Sequence, residues 1–168
     1  VITKDLIIND ASAPDWYTSG LNTDWLKGNE FIGHVDGRGH TITGLYIDNT
    51  GSSAAVGLIQ KVNAQATISN INIDKCYITS PNNTAGILVG STTHNTFTKI
   101  AGCNVSNAIV DTCYGIGGII GGSSIGMCVI DYCTFDLFVV VFCSTYVIIL
   151  IGDNMTQKGF TLVELIGV

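Results

Sequence analysis

The sequence predicts an all-β fold, a parallel β-solenoid of about five coils with roughly 30 residues in each. Three observations predict it. First, short apolar runs edged by glycine recur. Gly57-Leu58-Ile59-Gln60, Ile87-Leu88-Val89-Gly90, Gly118-Ile119-Ile120-Gly121 and Ile149-Leu150-Ile151-Gly152 end at positions 60, 90, 121 and 152, spaced 30, 31 and 31 apart. Second, polar and apolar residues alternate with a period of two in Thr41-Ile42-Thr43-Gly44-Leu45-Tyr46-Ile47-Asp48 and in Thr67-Ile68-Ser69-Asn70-Ile71-Asn72-Ile73-Asp74, the pattern of a half-buried strand. Third, no stretch carries an i, i+3, i+4, i+7 apolar stripe, and charged residues are only 12% of the chain, about half the usual share, so surface helices are not expected.

Residues 1–30 read as an N-terminal capping segment and 31–168 as the coils. Ile2, Leu6, Ile7 and Ile8 form a short strand-like run, closed by the turn cluster from Asn9 to Asp15. Trp16, Tyr17, Trp25 and Leu26 follow, including both tryptophans of the chain, and such aromatics suit a cap on the open end of a solenoid. Phe31 to Ile42 holds glycine at 33, 37 and 39, where backbone turns tightly. Ile42 and Ile47, and Ile68, Ile71 and Ile73, are expected to face the core, allowing one bend. Later copies fall at Phe97–Val105, Met127–Phe135 and Phe160–Val168.

Leu137 to Ile151 has no charge, but it is shorter than the 20 or so residues a membrane helix needs. Its Val, Ile, Phe and Thr predict two buried strands and no membrane span. Lys158-Gly159-Phe160-Thr161-Leu162-Val163-Glu164-Leu165 resembles a type IV prepilin processing site, yet it also fits the register of the repeat. The last residues are expected to end inside a coil without a capping segment, so that either the sequence continues in a longer protein or the solenoid stacks on another subunit, since an open strand edge invites pairing.

Composition excludes some functions. The net charge is −6 and the seven Lys and Arg are scattered, so no nucleic-acid partner is expected. The first residues show no charged n-region followed by an apolar run. Asn82, Asn104 and Asn154 open Asn-X-Ser/Thr triplets, about as many as this composition produces by chance.

Two rows of residues could carry chemistry. Cys76, Cys103 and Cys133 follow Ile73-Asp74-Lys75, Ile100-Ala101-Gly102 and Ile130-Asp131-Tyr132, and Cys113 and Cys143 lie 30 apart. Stacked on successive coils, they are expected as small apolar fillers, with inter-coil disulfides within reach of the rung spacing. There is no Cys-X-X-Cys pair, and a straight ladder does not make a tetrahedral zinc site. Asp48, Asp74, Asp131 and Glu164 each follow an apolar strand residue, so the repeat is expected to align them as an outward row that could hold calcium or a saccharide. His34, His40 and His94 have no metal-ligand spacing, and no Ser-His-Asp set, phosphate loop or dinucleotide fingerprint can be assembled.

Gly117-Gly118-Ile119-Ile120-Gly121, with Ile71-Asn72-Ile73-Asp74-Lys75-Cys76 before it, resembles the GLUG-motif repeat, and Phe31 to Leu45 resembles the coil that usually precedes such repeats. These repeats occur in large secreted and cell-surface proteins, including adhesin-like proteins. The resemblance covers about residues 31–168 and implies a right-handed parallel β-helix placed outside the cell, with Gly90, Gly118, Gly121 and Gly152 as structural glycines. Gln60 departs from the pattern, as do Ile148 and Ile149.

The expected function is a non-enzymatic structural or adhesive module of an extracellular cell-surface assembly, without a cofactor. Its expected partners are copies of itself or adjoining coils, through the C-terminal end and the apolar 137–151 region, with a cell-surface glycan as candidate ligand. A polysaccharide-binding or polysaccharide-cleaving β-helix and a pilin-related filament subunit are the alternatives.

Overall fold

A computed structural model describes residues 1–22, 30–51, 54–63, 66–92, 97–112, 116–117, 119–123, 127–131, 133–143, 146–151 and 155–157. The chain opens with β1 (Leu6–Ile7) and a single 3-10 turn at Trp16–Thr18. The first coil holds β2 (His34–Asp36), β3 (Thr41–Asp48) and β4 (Ile59–Val62). The second holds β5 (Thr67–Ser69), β6 (Asn72–Ser80), β7 (Ala85–Gly86) and β8 (Val89–Thr92). The third holds β9 (Phe97–Ala101), β10 (Asn104–Thr112), β11 (Ile116–Gly117) and β12 (Ile120–Ser123). Then come β13 (Met127–Asp131), β14 (Cys133–Cys143), β15 (Tyr146–Ile151) and β16 (Met155–Gln157).

Equivalent strands pair in parallel from coil to coil, giving sheets β2-β5-β9-β13, β3-β6-β10-β14, β4-β8-β12 and β7-β11. The fold is therefore an all-β parallel solenoid, as the repeat predicts. It makes about three turns rather than five, because the ladder changes direction after β14. β15 runs antiparallel to β14, with Phe138 opposite Ile151 and Cys143 opposite Tyr146, and β16 also pairs antiparallel with β14. The run ending at Ile151 thus matches the earlier copies in composition but not in direction.

The repeat phase holds for the first three copies. Ile59 pairs with Val89 and Val89 with Ile120, so Gln60, Gly90 and Gly121 share one column. These glycines do not serve as flexible bends, since none has a positive φ. They permit close approach instead. A Cβ on Gly90 would lie 2.6 Å from the Gln60 carbonyl oxygen and 2.7 Å from the Val56 backbone, and one on Gly121 would strike the Ala85–Gly86 backbone. Each closing glycine faces the coil before it. Gln60 belongs to the first coil, and the described residues place no such arch beneath it.

The long strands carry the core. Ile42, Leu45 and Ile47 of β3, Ile73, Cys76 and Ile78 of β6, and Val105, Ala108 and Val110 of β10 are buried and in register. The spacing is three and then two, because an extra outward residue sits in each strand. That residue is Gly44, Lys75 or Asn107, at φ 75°, 54° and 51°, a bulge in the left-handed region. β14 lacks it, so Val105 faces Phe135 while Ala108 already faces Leu137. A second corner, at Asn70 (φ 54°) and Gly102 (φ 62°), separates β5 from β6 and β9 from β10. Each buried Ile or Leu contributes about 1.5–3 kcal/mol, against about 0.5–1.5 kcal/mol for a hydrogen bond on the outer faces. The core columns hold the coils together, and the outer bonds refine their register.

The N-terminal segment lies along the first coil. β1 pairs in parallel with β3, Leu6 opposite Ile42. Asn9 fixes the crossing: its Nδ2 donates to the Gly44 carbonyl at 2.8 Å and its Oδ1 accepts from Leu21 N–H at 2.7 Å. A side chain at position 44 would strike the Asn9 backbone.

Candidate functional site

The outer face of the β3-β6-β10 sheet gathers the described residues with the most chemistry. Inward residues alternate with outward ones, so the register that builds the core also builds outward columns. Thr41, Asn72, Asn104 and Thr134 form one column. Along it Asn104 Nδ2 donates to Asn72 Oδ1 at 2.8 Å and Thr134 Oγ1 donates to Asn104 Oδ1 at 2.6 Å. Asn72 Nδ2 closes the run on the Gly39 carbonyl at 2.7 Å.

Tyr46 and Tyr77 form a second column, their rings 5.9 Å apart. Tyr17 lies flat on Tyr77 with centroids 4.0 Å apart, and Trp16 meets Tyr46 edge-on at 6.5 Å. Lys75 fastens the same segment, its Nζ donating to the Ala11 carbonyl at 2.9 Å. Burial raises the pKa of both Tyr46 and Tyr77, with Asp48 adding to the shift on each and Asp111 on Tyr77. Burial also pushes Asp111 above the ordinary carboxylate value, opposed by a hydrogen bond from Thr79. The result is an aromatic patch with an acidic rim, and Tyr17 covers its centre. Sequence reasoning missed this pair, although Tyr46 and Tyr77 are 31 positions apart, the phase that relates Ile42 to Ile73.

The predicted acidic row does not assemble. Asp48 stacks with Thr79 and, beyond it, Asp111. Asp74 stacks with Thr43 and Ser106. Asp131 lies on a different sheet, in the column of Asp36, Ser69 and Ala101. The apparent alignment arises because Thr41–Asp48 is one strand, whereas Thr67–Asp74 crosses the corner at Asn70. Asp74 Oδ1 accepts from Ser106 Oγ and Asn107 Nδ2, both at 2.8 Å, which ties two coils together. Glu164 lies outside the described residues.

The cysteine row is corrected in the same way. Cys103 and Cys133 are neighbours on successive coils, while Cys76 belongs to the column of Leu45, Ala108 and Leu137. All three are buried thiols. Cys143 sits at the far end of β14 opposite Tyr146 on the antiparallel side. Cys113, Gly118 and Gly152 lie outside the described residues, as do Trp25, Leu26, His94 and the 158–165 segment. His40 Nδ1 meets Asp5 Oδ1 at 3.1 Å, and Asp5 also accepts from Thr41 N–H at 2.9 Å. These backbone and side-chain bonds hold the Asp5 carboxyl below its usual value. Among the described residues, no group of three or more His, Cys, Asp or Glu could hold a metal ion, and no helix is long and apolar enough to cross a membrane.

The geometry defines a β-solenoid in which the outward polar groups of Asn72, Asp74, Asn104, Ser106, Asn107 and Thr134 bond from coil to coil. No family model and no solved structure matches the chain. Two curated proteins are similar to it. A Gly-rich membrane protein of Evansella cellulosilytica is 32% identical over 96 residues, which is 57% of this chain and 10% of that protein. A halomucin of Haloquadratum walsbyi is 34% identical over 91 residues, 54% of this chain and 1% of that protein. The chain therefore corresponds to a small part of either relative.

Proposed function

We propose that the chain is a non-enzymatic structural or adhesive module of an extracellular cell-surface assembly, of the kind built from GLUG-type coils. The observation that carries this reading is the use of the outer face. Asn72, Asp74, Asn104, Ser106 and Thr134 bond from coil to coil, so polar groups that a catalytic site would aim at a substrate here stiffen a rod. The relatives' names, a Gly-rich membrane protein and a halomucin, agree with a place at the cell envelope. Copies of the chain, or adjoining coils, would pair with its strand edges, the apolar 137–151 region among them. Sedimentation velocity across a concentration series, with electron microscopy of the same samples, tests this. Ordered filaments, sheets or surface binding without turnover support it, and a strictly monomeric, inert protein counts against it.

The aromatic patch with its acidic rim favours one second reading, a polysaccharide-binding coil. A glycan panel probed with the native chain and with Asp48→Ala tests it, and binding to no glycan removes it. A pilin-related role would require cleavage between Gly159 and Phe160, which intact-mass measurement of native material tests directly.

A further inference from the structure

We propose that Cys103 and Cys133 are a redox pair that closes an inter-coil disulfide, locking β14 onto the third coil. The two residues stand at the same corner of successive coils. Asn104 pairs with Thr134, and Thr134 N–H donates to the Cys103 carbonyl at 3.0 Å, so Cys103 and Cys133 are adjacent rungs. Rungs of a parallel ladder are about 4.8 Å apart, inside the roughly 4.4–6.8 Å Cα separation that a disulfide accepts. Cys103 Sγ donates to the Ala101 carbonyl at 3.5 Å, and hydrogen bonding with the Cys133 thiol is the largest cause that raises its pKa. Both side chains are fully buried, where a disulfide would lie among the core residues Ile71 and Val105.

The same register excludes Cys76 from such a bond. Its neighbours across the ladder are Leu45 and Ala108, so it has no thiol one rung away on either side.

The chemistry is thiol–disulfide exchange with a small-molecule disulfide. One cysteine thiolate attacks the reagent's S–S bond, forming a mixed disulfide and releasing one small thiolate. The second cysteine then displaces the other small thiolate and completes the Cys103–Cys133 bond. The two cysteines lose two protons and two electrons, and the reagent is reduced to two thiols. The bond to Cys133 and burial keep the Cys103 thiol protonated, and the thiolate is the nucleophile. Exchange is therefore slow in the folded chain and fast while β14 is docking on the third coil. Once closed, the bond is shielded from reductants by the same burial. The inference rests on the register and burial of the two thiols and stands whether or not the surface reading is correct, although an oxidising exterior would supply the reagent.

The test is to unfold the full chain under reducing conditions and refold it in a mixture of reduced and oxidised glutathione. Remaining thiols are then alkylated in denaturant, and the peptides are mapped by mass spectrometry. The expected result is a Cys103–Cys133 cross-linked peptide, with Cys76 recovered as an alkylated thiol. Recovery of Cys103 and Cys133 as alkylated thiols, or their linkage to Cys113, Cys128 or Cys143, would overturn the proposal. A second measurement compares urea unfolding of the refolded protein before and after reduction. A higher midpoint in the oxidised form supports the lock, and identical midpoints refute it. Neither measurement depends on a variant that must itself fold.

Discussion

The Tyr17 ring lies on the Tyr77 ring with centroids 4.0 Å apart and planes 8° from parallel. This stack joins a residue of the N-terminal segment to the second coil. β1, by contrast, reaches only the first coil. The segment is therefore bound along the side of the rod as well as at its end.

Removing either ring should loosen that segment without unfolding the coils. An aromatic pair contributes about 0.5–1.5 kcal/mol beyond its buried area. Tyr17→Ala and Tyr77→Ala should each cost about 1–3 kcal/mol with burial included, and the double variant should cost less than the sum. A double-mutant cycle on urea midpoints checks this, with limited proteolysis near residues 10–22 as the local readout.

The glycine column predicts a sharp contrast. In Gly90→Ala the new Cβ meets the Gln60 carbonyl oxygen at 2.6 Å and Val56 backbone atoms at 2.7 Å, none of which can rotate away. Overpacking of this kind costs about 1–3 kcal/mol. Gly51→Ala, with nothing within 4 Å and no positive φ, should be neutral within about 0.5 kcal/mol. Thermal melts of the two variants beside the parent protein decide it.

Acid should release the N-terminal end first. Asp5, Asp10 and Asp36 sit below their ordinary value of 3.8, and Glu30 below 4.5, chiefly through hydrogen bonds from Thr41, Ser12, Arg38 and Lys61 respectively. A lowered folded pKa means the stabilisation is complete above the ordinary value and is lost as pH falls through the folded one. Tryptophan fluorescence should therefore change below about pH 4, before far-UV dichroism does.

Asp111 behaves in the opposite sense. Burial raises its folded pKa, so its ionisation opposes folding as pH rises through that value. Asp111→Asn should be more stable than the parent protein at neutral pH, and the gap should narrow on acidification. Urea midpoints at pH 7 and at pH 4 measure it; a gap that stays constant would contradict the assignment.

Much of this fold is legible in the sequence because the repeat leaves two kinds of mark. Gly90 and Gly121 mark the arch, where backbone meets backbone and no side chain fits. The isoleucines mark the core columns, and together they predict a parallel solenoid with the correct period. The corners are not legible. Asn70 and Lys75 adopt positive φ although neither is glycine; asparagine visits that region more readily than most residues, but nothing in the identity of Lys75 announces it. Unmarked corners let Thr67–Asp74 pass for a copy of Thr41–Asp48, and that slip misplaced Asp74, Asp131 and Cys76 together. Strand direction is equally silent: the apolar residues of β15 suit a parallel or an antiparallel rung. The Tyr46–Tyr77 column was readable, since its 31-residue spacing is the repeat itself.

The reversal at β15 gives the rod a polarity for growth by duplication. A parallel ladder has no preferred length, because each coil presents the next with the edge it was itself given. Beyond β14, the strand in place runs backwards along it. A duplicated coil inserted between β8 and β9 would meet matching edges above and below, whereas one set against β15 would meet a strand of the wrong sense. Duplication of a coil is thus accommodated between parallel rungs, whereas the antiparallel β14–β15 pair does not template another parallel one.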